Sequence, residues 1–342
     1  MVLDARQDWA CWLDTENTMQ NDKPQILVTP TSFASAELEF ARNLLEESGY
    51  EVAYNQSGKP LDADQLVEAA RGCVGILAGL DDFSAEVLHQ LPDLRVISRY
   101  GVGVDRVDLQ AAGHNGVVVT NTPGANSIAV AEMALTSMFA LARHVAQLNE
   151  TTRQGQWLRV VGTELSQATL GIVGYGSIGR ALRRLVTGLE MKVLVYDPFF
   201  DPETDPTVQG MELADLVRES NFISLHLPLT PTTEHLFDAA MFRLMSPGTF
   251  LINTSRGGII DESAAAAALD AGQLAGLALD AYEQEPPSPD HELFRFPNVI
   301  ATPHSGAQTV QSRIRMARGA VDNLLHALAG KPVTNLASDP VS

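Results

Sequence analysis

From Gln25 onward the chain alternates short, unbroken apolar runs with stretches of helical period. The runs QILVTP, YEVAYN, VGILAG, LRVISRYG and VVVTNTP are separated by helical patterns over 34–48, 63–71, 84–90 and 109–115. A strand in a parallel sheet is buried on both faces by helices, so it reads as a continuous apolar run and not as an alternating one. The spacing therefore predicts a βα series that ends near Pro123. A long helical stretch from 125 to about 154 leads to a second series, TLGIVG, MKVLVYD, NFISLHLP, GTFLINTS, GLALDAY and NVIATPH, followed by a helix from about 309 to 328. The first series lacks a closing element, and the last helix follows the second sheet. The expected organisation is α/β with two doubly wound parallel-sheet domains: a discontinuous one over 25–123 and 307–336, and a continuous one over 124–306. Residues 1–24 show no period and are expected to be an extension, either a tail or an arm on another subunit.

Composition narrows the partners. A chain of 342 residues with 45% hydrophobic content is long enough to bury two cores. The net charge is −19, and the lysines, Lys23, Lys59, Lys192 and Lys331, are scattered. No basic run could track a phosphate backbone, so nucleic acid is excluded as an expected partner. An anionic small molecule would instead need a particular arginine in a cleft. Cys11 and Cys73 form no C-x-x-C pair and no disulfide framework, which points to a reducing, cytoplasmic setting. The longest apolar stretch, 129–148, is interrupted by Glu132, Arg143 and His144, and the N-terminus lacks the design of a signal peptide; no membrane segment is expected.

One loop carries a specific signal. In TLGIVGYGSIGRALRRL, Gly174, Gly176 and Gly179 form G-x-G-x-x-G between an apolar strand and a helical pattern, the context of a Rossmann-type dinucleotide site. The first glycine permits a tight turn, the second lets backbone approach a pyrophosphate, and the third lets helix and strand pack closely. The next strand, MKVLVYD, ends in Asp197, at about the 20-residue offset where a carboxylate accepts hydrogen bonds from ribose. That carboxylate repels a 2′-phosphate, and PFFDPETDPTVQG after it offers no arginine or lysine, so NAD is favoured over NADP. A turn-forming aspartate before Pro198 is the alternative reading.

Ligands of open α/β sheets sit beyond the carboxyl ends of the strands, so polar residues just after strand-like runs are the candidates for chemistry. Arg256 follows GTFLINTS, Glu285 lies shortly after GLALDAY, and His304 follows NVIATP. Reduction of a 2-keto acid needs a cation for the carboxylate and a proton donor for the carbonyl oxygen. Arg256 suits the first task, because its planar fork binds carboxylate through two parallel hydrogen bonds. His304 suits the second, and a Glu285 carboxylate beside it would fix its ring and support its protonated form. Singly, the three read as a loop ion pair, a solvated turn residue and a packed histidine; beside a dinucleotide site they read as a catalytic set. His226 ends a strand without an acidic neighbour and reads as structural, lining the cofactor side at most. His114, His144 and His291 have no evident partners in the sequence.

These residues resemble the D-isomer-specific 2-hydroxyacid dehydrogenases, most nearly the branch that contains phosphoglycerate dehydrogenase. The resemblance runs from about 25 to about 335 and is carried, in order, by SRYGVGVDRVDL, NTPGANSIAVAE, GTELSQATLGIVGYGSIGR, INTSRGGIIDE, ALDAYEQEPP and TPHSGA. It implies that Arg256 binds substrate, that His304 is the acid/base and that Glu285 pairs with it. It further implies cofactor contacts at Ser177 and Ile178 (pyrophosphate), Asp197 (ribose), Thr254, Ser255 and Asp280 (nicotinamide end), with Pro228 and Gly306 also lining the cofactor. The backbone of Tyr100, Gly101, Val102 and Gly103, in a flavodoxin-like substrate domain, would hold the substrate carboxylate. A homodimer joined through the NAD-binding domains is implied, with the apolar helix 128–141 contributing. Departures bear on the substrate, a small anionic 2-hydroxy or 2-keto acid. Some phosphoglycerate-specific relatives have an arginine where LAGLDD gives Ala78 and Gly79, which weakens the case for a phosphorylated substrate and leaves Arg99 and Arg143 as possible phosphate partners. No C-terminal regulatory domain is expected after Leu336, and the family's formate dehydrogenases carry glutamine where Glu285 stands. The substrates to consider first are 3-phosphoglycerate, hydroxypyruvate and glyoxylate. A different class, the NAD-sensing transcriptional corepressors, also resembles the chain and would bind the cofactor without turnover.

Overall fold

The computed structural model describes residues 23–333 and 335–337; the extension expected at 1–24 lies outside them except for Lys23 and Pro24. The chain divides into two compact units, one running to Ala125 and resuming at Arg313, the other spanning Asn126–Ser312. The sequence pattern sets these divisions at 123/124 and 306/307.

The first unit holds a five-stranded sheet of β1 (Gln25–Val28), β2 (Glu51–Tyr54), β3 (Cys73–Ala78), β4 (Val96–Arg99) and β5 (Val118–Thr120). The order is β2-β1-β3-β4-β5 with every pair parallel, the flavodoxin-like order. Its helices α1 (Glu39–Glu46), α2 (Ala63–Ala70), α3 (Ala85–His89) and α4 (Leu109–His114) start where the local chemistry dictates. Asp62 and Gln65 form a reciprocal capping box on α2, and the Ser84 and Asp108 side chains accept amides of the first turns of α3 and α4.

In the second unit a seven-stranded sheet contains β6 (Thr169–Val173), β7 (Lys192–Tyr196), β8 (Gln209–Gly210), β9 (Phe222–Leu225), β10 (Thr249–Asn253), β11 (Leu274–Leu279) and β12 (Val299–Ala301). The order is β12-β11-β10-β9-β6-β7-β8, again all parallel. From β6 the sheet grows one way through β7 and the other way through β9. The carboxyl ends of β6 and β9 therefore flank the switch point at which ligands bind in such sheets. Helices α5 (Ser127–Ala142), α6 (Val145–Arg153), α7 (Ser177–Leu185), α8 (Leu213–Glu219), α9 (Ala239–Leu244) and α10 (Glu262–Asp270) surround it. Ala131, Ala134, Met138 and Leu141 of α5 pack with Leu170, Ile172, Phe222, Phe250 and Ile252 of the sheet.

The single helix expected from 125 to 154 is instead the pair α5 and α6, bent by 62°. At the break His144 takes a left-handed φ of 52°, and the Ala142 carbonyl accepts the Thr163 amide at 2.8 Å. Gly162 lies so close that a Cβ there would stand 2.5 Å from the same carbonyl. A distant segment thus supplies the hydrogen bond that a continuing helix would have provided. Among the described residues no single helix is long and apolar enough to cross a membrane.

The last helix, α11 (Val310–Leu328), contributes Ala317, Ala320, Val321 and Leu324 to one face of the first unit's sheet, against Ile26, Val28, Leu77 and Val96. These four are all fully buried, and each large aliphatic side chain so placed contributes roughly 1.5–3 kcal/mol. Polar bonds set the register: Ser98 Oγ donates to the Ala320 carbonyl at 2.7 Å, and Asn323 Nδ2 to that of Asn121 at 2.9 Å.

Candidate active site

Two of the three glycines after β6 are required by the fold itself. Gly174 has φ +95°, and a Cβ there would stand 2.6 Å from the His226 carbonyl oxygen; one on Gly179 would stand 2.4 Å from the Gly174 oxygen. Gly176 is different. Its backbone is one that any residue adopts, φ −74° and ψ −156°, and a Cβ there would meet nothing within 4 Å. The protein leaves open a space that only glycine preserves, directly at the start of α7, where Ser177 and Ile178 begin the first turn. Free first-turn amides and the positive end of the helix dipole make that space a fitting pyrophosphate cradle.

Asp197, just past β7, binds this loop. Its Oδ2 accepts the Tyr175 amide at 2.7 Å and its Oδ1 accepts the Phe199 amide at 2.8 Å. The aspartate is therefore a turn residue and a neighbour of the glycine-rich loop at once, and a carboxylate's further lone pairs can accept ribose hydroxyls. His226 is half-buried with its Nδ1 out of solvent; desolvation pushes its pKa down to about 3, so the ring is neutral. Its Nε2 lies 3.0 Å from Ser224 Oγ, while Nδ1 has no partner among the described residues. Pro228 follows two residues later, exposed, its carbonyl accepting Thr233 Oγ1 at 2.7 Å.

The carboxyl ends of three adjacent strands, β10, β11 and β12, deliver the other polar residues. After β10, Asn253 ties the turn: its Oδ1 accepts the Ser255 amide (3.0 Å) and hydroxyl (2.7 Å), and its Nδ2 donates to the Arg256 carbonyl at 2.8 Å. Arg256 is half-buried and donates Nη1 to the Ser255 carbonyl at 2.8 Å. The Ser255 hydroxyl is thus committed to the turn, whereas Thr254 Oγ1 is buried with no partner among the described residues. An orphaned buried hydroxyl is costly, and a polar ligand beside it would satisfy it.

After β11, buried Asp280 accepts three donors of the loop that follows β12: Thr302 Oγ1 (2.6 Å) and the Ser305 amide (2.7 Å) on Oδ1, and the Gly306 amide (2.7 Å) on Oδ2. This clamp brackets His304, which sits at a left-handed φ of 50°. Each Glu285 oxygen lies 3.0 Å from His304 Nδ1, and Glu285 Oε1 also accepts the Tyr282 amide at 3.2 Å. The two side chains are 30% and 20% exposed. A carboxylate on Nδ1 fixes the orientation of the ring and leaves Nε2 as the ring nitrogen that can meet a ligand. The loops of Arg256 and Glu285 touch through Gly257, where a Cβ would fall 1.8 Å from the Tyr282 carbonyl carbon.

Two features escape sequence reasoning. His291 does have a partner: its Nε2 lies 2.9 Å from Glu262 Oε2, and Glu262 Oε1 accepts the Glu283 amide at 3.0 Å, tying α10 to the loop that bears Glu285. The partners are 29 positions apart with no motif between them. The second is Asn253, whose amide organises the arginine turn; its place at a strand end was the only available signal.

In the first unit, residues 100–103 follow β4. The carbonyls of Gly101, Val102 and Gly103 accept Thr122 Oγ1 (3.1 Å), Asn121 Nδ2 (2.7 Å) and Arg99 Nε (2.9 Å), which fixes their peptide planes. Arg99 is only 5% exposed and also donates Nη1 to the Ala78 carbonyl at 2.8 Å. Its role here is to hold the loop, and a phosphate would compete with those bonds. Arg143, the other cation considered for a phosphate, is exposed at the C-terminal end of α5 in the second unit.

Comparison with known proteins identifies the family. Residues 135–306 match the family model described as D-isomer specific 2-hydroxyacid dehydrogenase, NAD binding domain. The chain is 36% identical over 299 residues to the glyoxylate reductase of Thermofilum pendens, covering 84% of this chain and 88% of that one. It is 39% identical over 261 residues to the D-3-phosphoglycerate dehydrogenase of Archaeoglobus fulgidus, covering 75% of this chain and 49% of the relative. The chain thus spans about half the length of the first curated relatives it matches. A crystal structure of a Thermus thermophilus protein superposes with a TM-score of 0.83 at 35% identity, covering 92% of this chain and 99% of that one. With the glycine-rich loop, the orphaned Thr254 hydroxyl and the histidine–glutamate pair in place, these matches show that the chain belongs to the D-isomer-specific 2-hydroxyacid dehydrogenase family, residues 135–306 forming its NAD-binding domain.

Proposed function

We propose that this protein is an NAD-dependent dehydrogenase that interconverts a small D-2-hydroxy acid and its 2-keto acid. The observation that carries the reading is the His304–Glu285 pair, 3.0 Å apart, on a loop clamped by Asp280. The Arg256 guanidinium grips the substrate carboxylate with its fork and polarises the adjacent carbonyl. The bound nicotinamide supplies the hydride in the reductive direction. His304 Nε2 gives its proton to the carbonyl oxygen as that oxygen becomes a hydroxyl, and Glu285 holds the ring in line throughout. In the oxidative direction neutral His304 takes the hydroxyl proton. Ser177, Ile178 and Gly176 would hold the pyrophosphate, Asp197 the ribose, and Thr254 and Asp280 the nicotinamide end, beside Pro228 and Gly306. Asp280 has already given three acceptor positions to the chain, which leaves about one of a carboxylate's four lone-pair sites for the cofactor.

The first unit is the substrate domain in this reading. Relatives named glyoxylate reductase, hydroxypyruvate reductase and D-3-phosphoglycerate dehydrogenase make glyoxylate, hydroxypyruvate and 3-phosphoglycerate the acids to try first. Buried, unpaired Cys73 fits a reducing, cytoplasmic setting. The protein pairs as a homodimer through its NAD-binding units, because Ile128, Phe139, Trp157 and Val161 expose apolar surface there, the last two by 83% and 93%. A monomeric mass by light scattering would contradict that pairing.

NADH consumption across short 2-keto acids, with NADPH in parallel, tests the function. Turnover with NADH on at least one of them is expected; cofactor binding without turnover on any would overturn the enzymatic reading.

A further inference from the structure

Tyr175 stands between the first two glycines of the nucleotide loop, where a small residue would suffice for the turn. It is nevertheless a large side chain, 2% exposed and packed inward. Its ring meets Phe200 edge-on at 5.6 Å, and the Arg180 guanidinium lies 5.3 Å from the ring centre. Two polar bonds leave this one residue in opposite directions. The backbone amide donates to Asp197 Oδ2 at 2.7 Å, and the phenol donates to Asp205 Oδ2 at 2.6 Å. Tyr175 thus grips both ends of the segment that follows β7.

That segment has little regular structure of its own. It turns through bonds from the Phe200 amide to the Asp197 carbonyl and from the Thr204 amide to the Asp201 carbonyl, and reaches the two-residue β8. A second grip comes from α7: Arg183 donates Nη2 to Thr207 Oγ1 at 2.9 Å, and the Thr207 hydroxyl and amide bond Asp205 Oδ1. Hydrogen bonds from Thr207 and Tyr175 hold the Asp205 carboxyl below its ordinary range, while burial pushes the Tyr175 phenol up. The pair is therefore a charged acceptor and a neutral donor at neutral pH, the stronger kind of hydrogen bond.

We infer that the Tyr175–Asp205 bond is a specificity-determining anchor that holds residues 197–207 against the nucleotide loop and so sets the preference for NAD over NADP. The inference rests on the reading of residues 174–197 as the dinucleotide site. The anchored segment carries Asp197, Asp201, Glu203 and Asp205 and no lysine or arginine. Fixed in place, its carboxylates accept ribose hydroxyls and repel a 2′-phosphate. Released, the segment lets that negative charge move away, and it frees Arg183 on α7 from Thr207, so that a cation can meet a phosphate. Tyr175 acts here as a positioning residue through Asp197, and its phenol touches no reacting atom.

Tyr175→Phe keeps the ring packing and removes only the anchor; Asp205→Ala removes the acceptor. NADH and NADPH dissociation constants from fluorescence titration of the full-length protein, with KM and kcat from NADH oxidation, read the effect. Losing a bond to a charged group and leaving the segment in place only part of the time should raise the NADH Kd about 3- to 10-fold. The NADPH Kd should not rise with it, so the discrimination narrows by a similar factor. KM for NADH should follow Kd, with a smaller fall in kcat at saturating NADH. The double variant should be no worse than either single one, because both remove the same bond. Asp197→Ala serves as the reference. If it erases the NADH preference while Tyr175→Phe preserves the wild-type NADH/NADPH ratio, or weakens both cofactors equally, the anchor is overturned and the nucleotide site stands. If Asp197→Ala leaves the ratio untouched, the reading of the site itself fails.

Discussion

Gly257→Ala asks whether the arginine and the glutamate–histidine pair are assembled by direct contact between their loops. The added Cβ would fall 1.8 Å from the Tyr282 carbonyl carbon, 2.1 Å from its oxygen and 2.3 Å from the Glu283 nitrogen. All three are backbone atoms, so no side-chain rotation relieves the clash. Carbon atoms pack at about 3.5 Å or more, so the loops must part by roughly 1.7 Å. Arg256 is the residue before Gly257, and Glu285 lies just beyond Glu283, so the displacement enters the site directly. A misplacement of about 1 Å can cost on the order of a hundredfold in rate, and kcat/KM should fall at least that far. Overpacking of this kind costs about 1–3 kcal/mol, which lowers Tm by roughly 2–12 °C in a domain of this size. NADH-oxidation kinetics and a thermal melt read both quantities. Gly258→Ala is the matched control: its Cβ would meet only the Leu229 side chain at 3.3 Å, which can turn aside. A folded Gly257→Ala protein with kcat/KM within about threefold of wild type would refute the idea that this contact sets the geometry.

Other substitutions separate ligand demands from fold demands. Gly176→Ala should leave Tm within about 1 °C, since its Cβ meets nothing within 4 Å, yet raise the NADH Kd about tenfold or more; a normal Kd would contradict the cradle. Arg256→Ala should lower kcat/KM more than Arg256→Lys, because lysine keeps the charge and loses the fork; equal losses would contradict bidentate binding. His226 has its folded pKa depressed to about 3, so the unfolded chain binds the extra proton between roughly pH 6.5 and 3 and stability falls as pH drops through that window. Chemical denaturation should show a loss of up to ~1.4 kcal/mol per pH unit there, and a profile unchanged in His226→Asn would refute the assignment.

Much of the fold was legible because a parallel strand covered on both faces announces itself as an apolar run; LGIV and FLIN do so without help from context. β8 was not, since Gln209 and Gly210 are both exposed and, among the described residues, pair only with β7. The break between α5 and α6 was hidden for a different reason: the bond that replaces the helical one comes from Thr163, far along the chain. Arg256, Glu285 and His304 could be named because each follows a strand. Their assembly could not, because it depends on strand order, on the Asp280 clamp and on the approach of Gly257 to Tyr282, none of which is local. The Glu262–His291 pair belongs to the same class, as does the reach of Tyr175 to Asp205 across 30 positions.

The proton-donor assignment is tested most directly by kcat of His304→Ala on the best 2-keto acid, measured at saturating NADH with the NADH Kd determined in parallel. The expected result is a loss of about two to four orders of magnitude in kcat with cofactor affinity retained. Turnover near the wild-type rate from this variant would contradict the account.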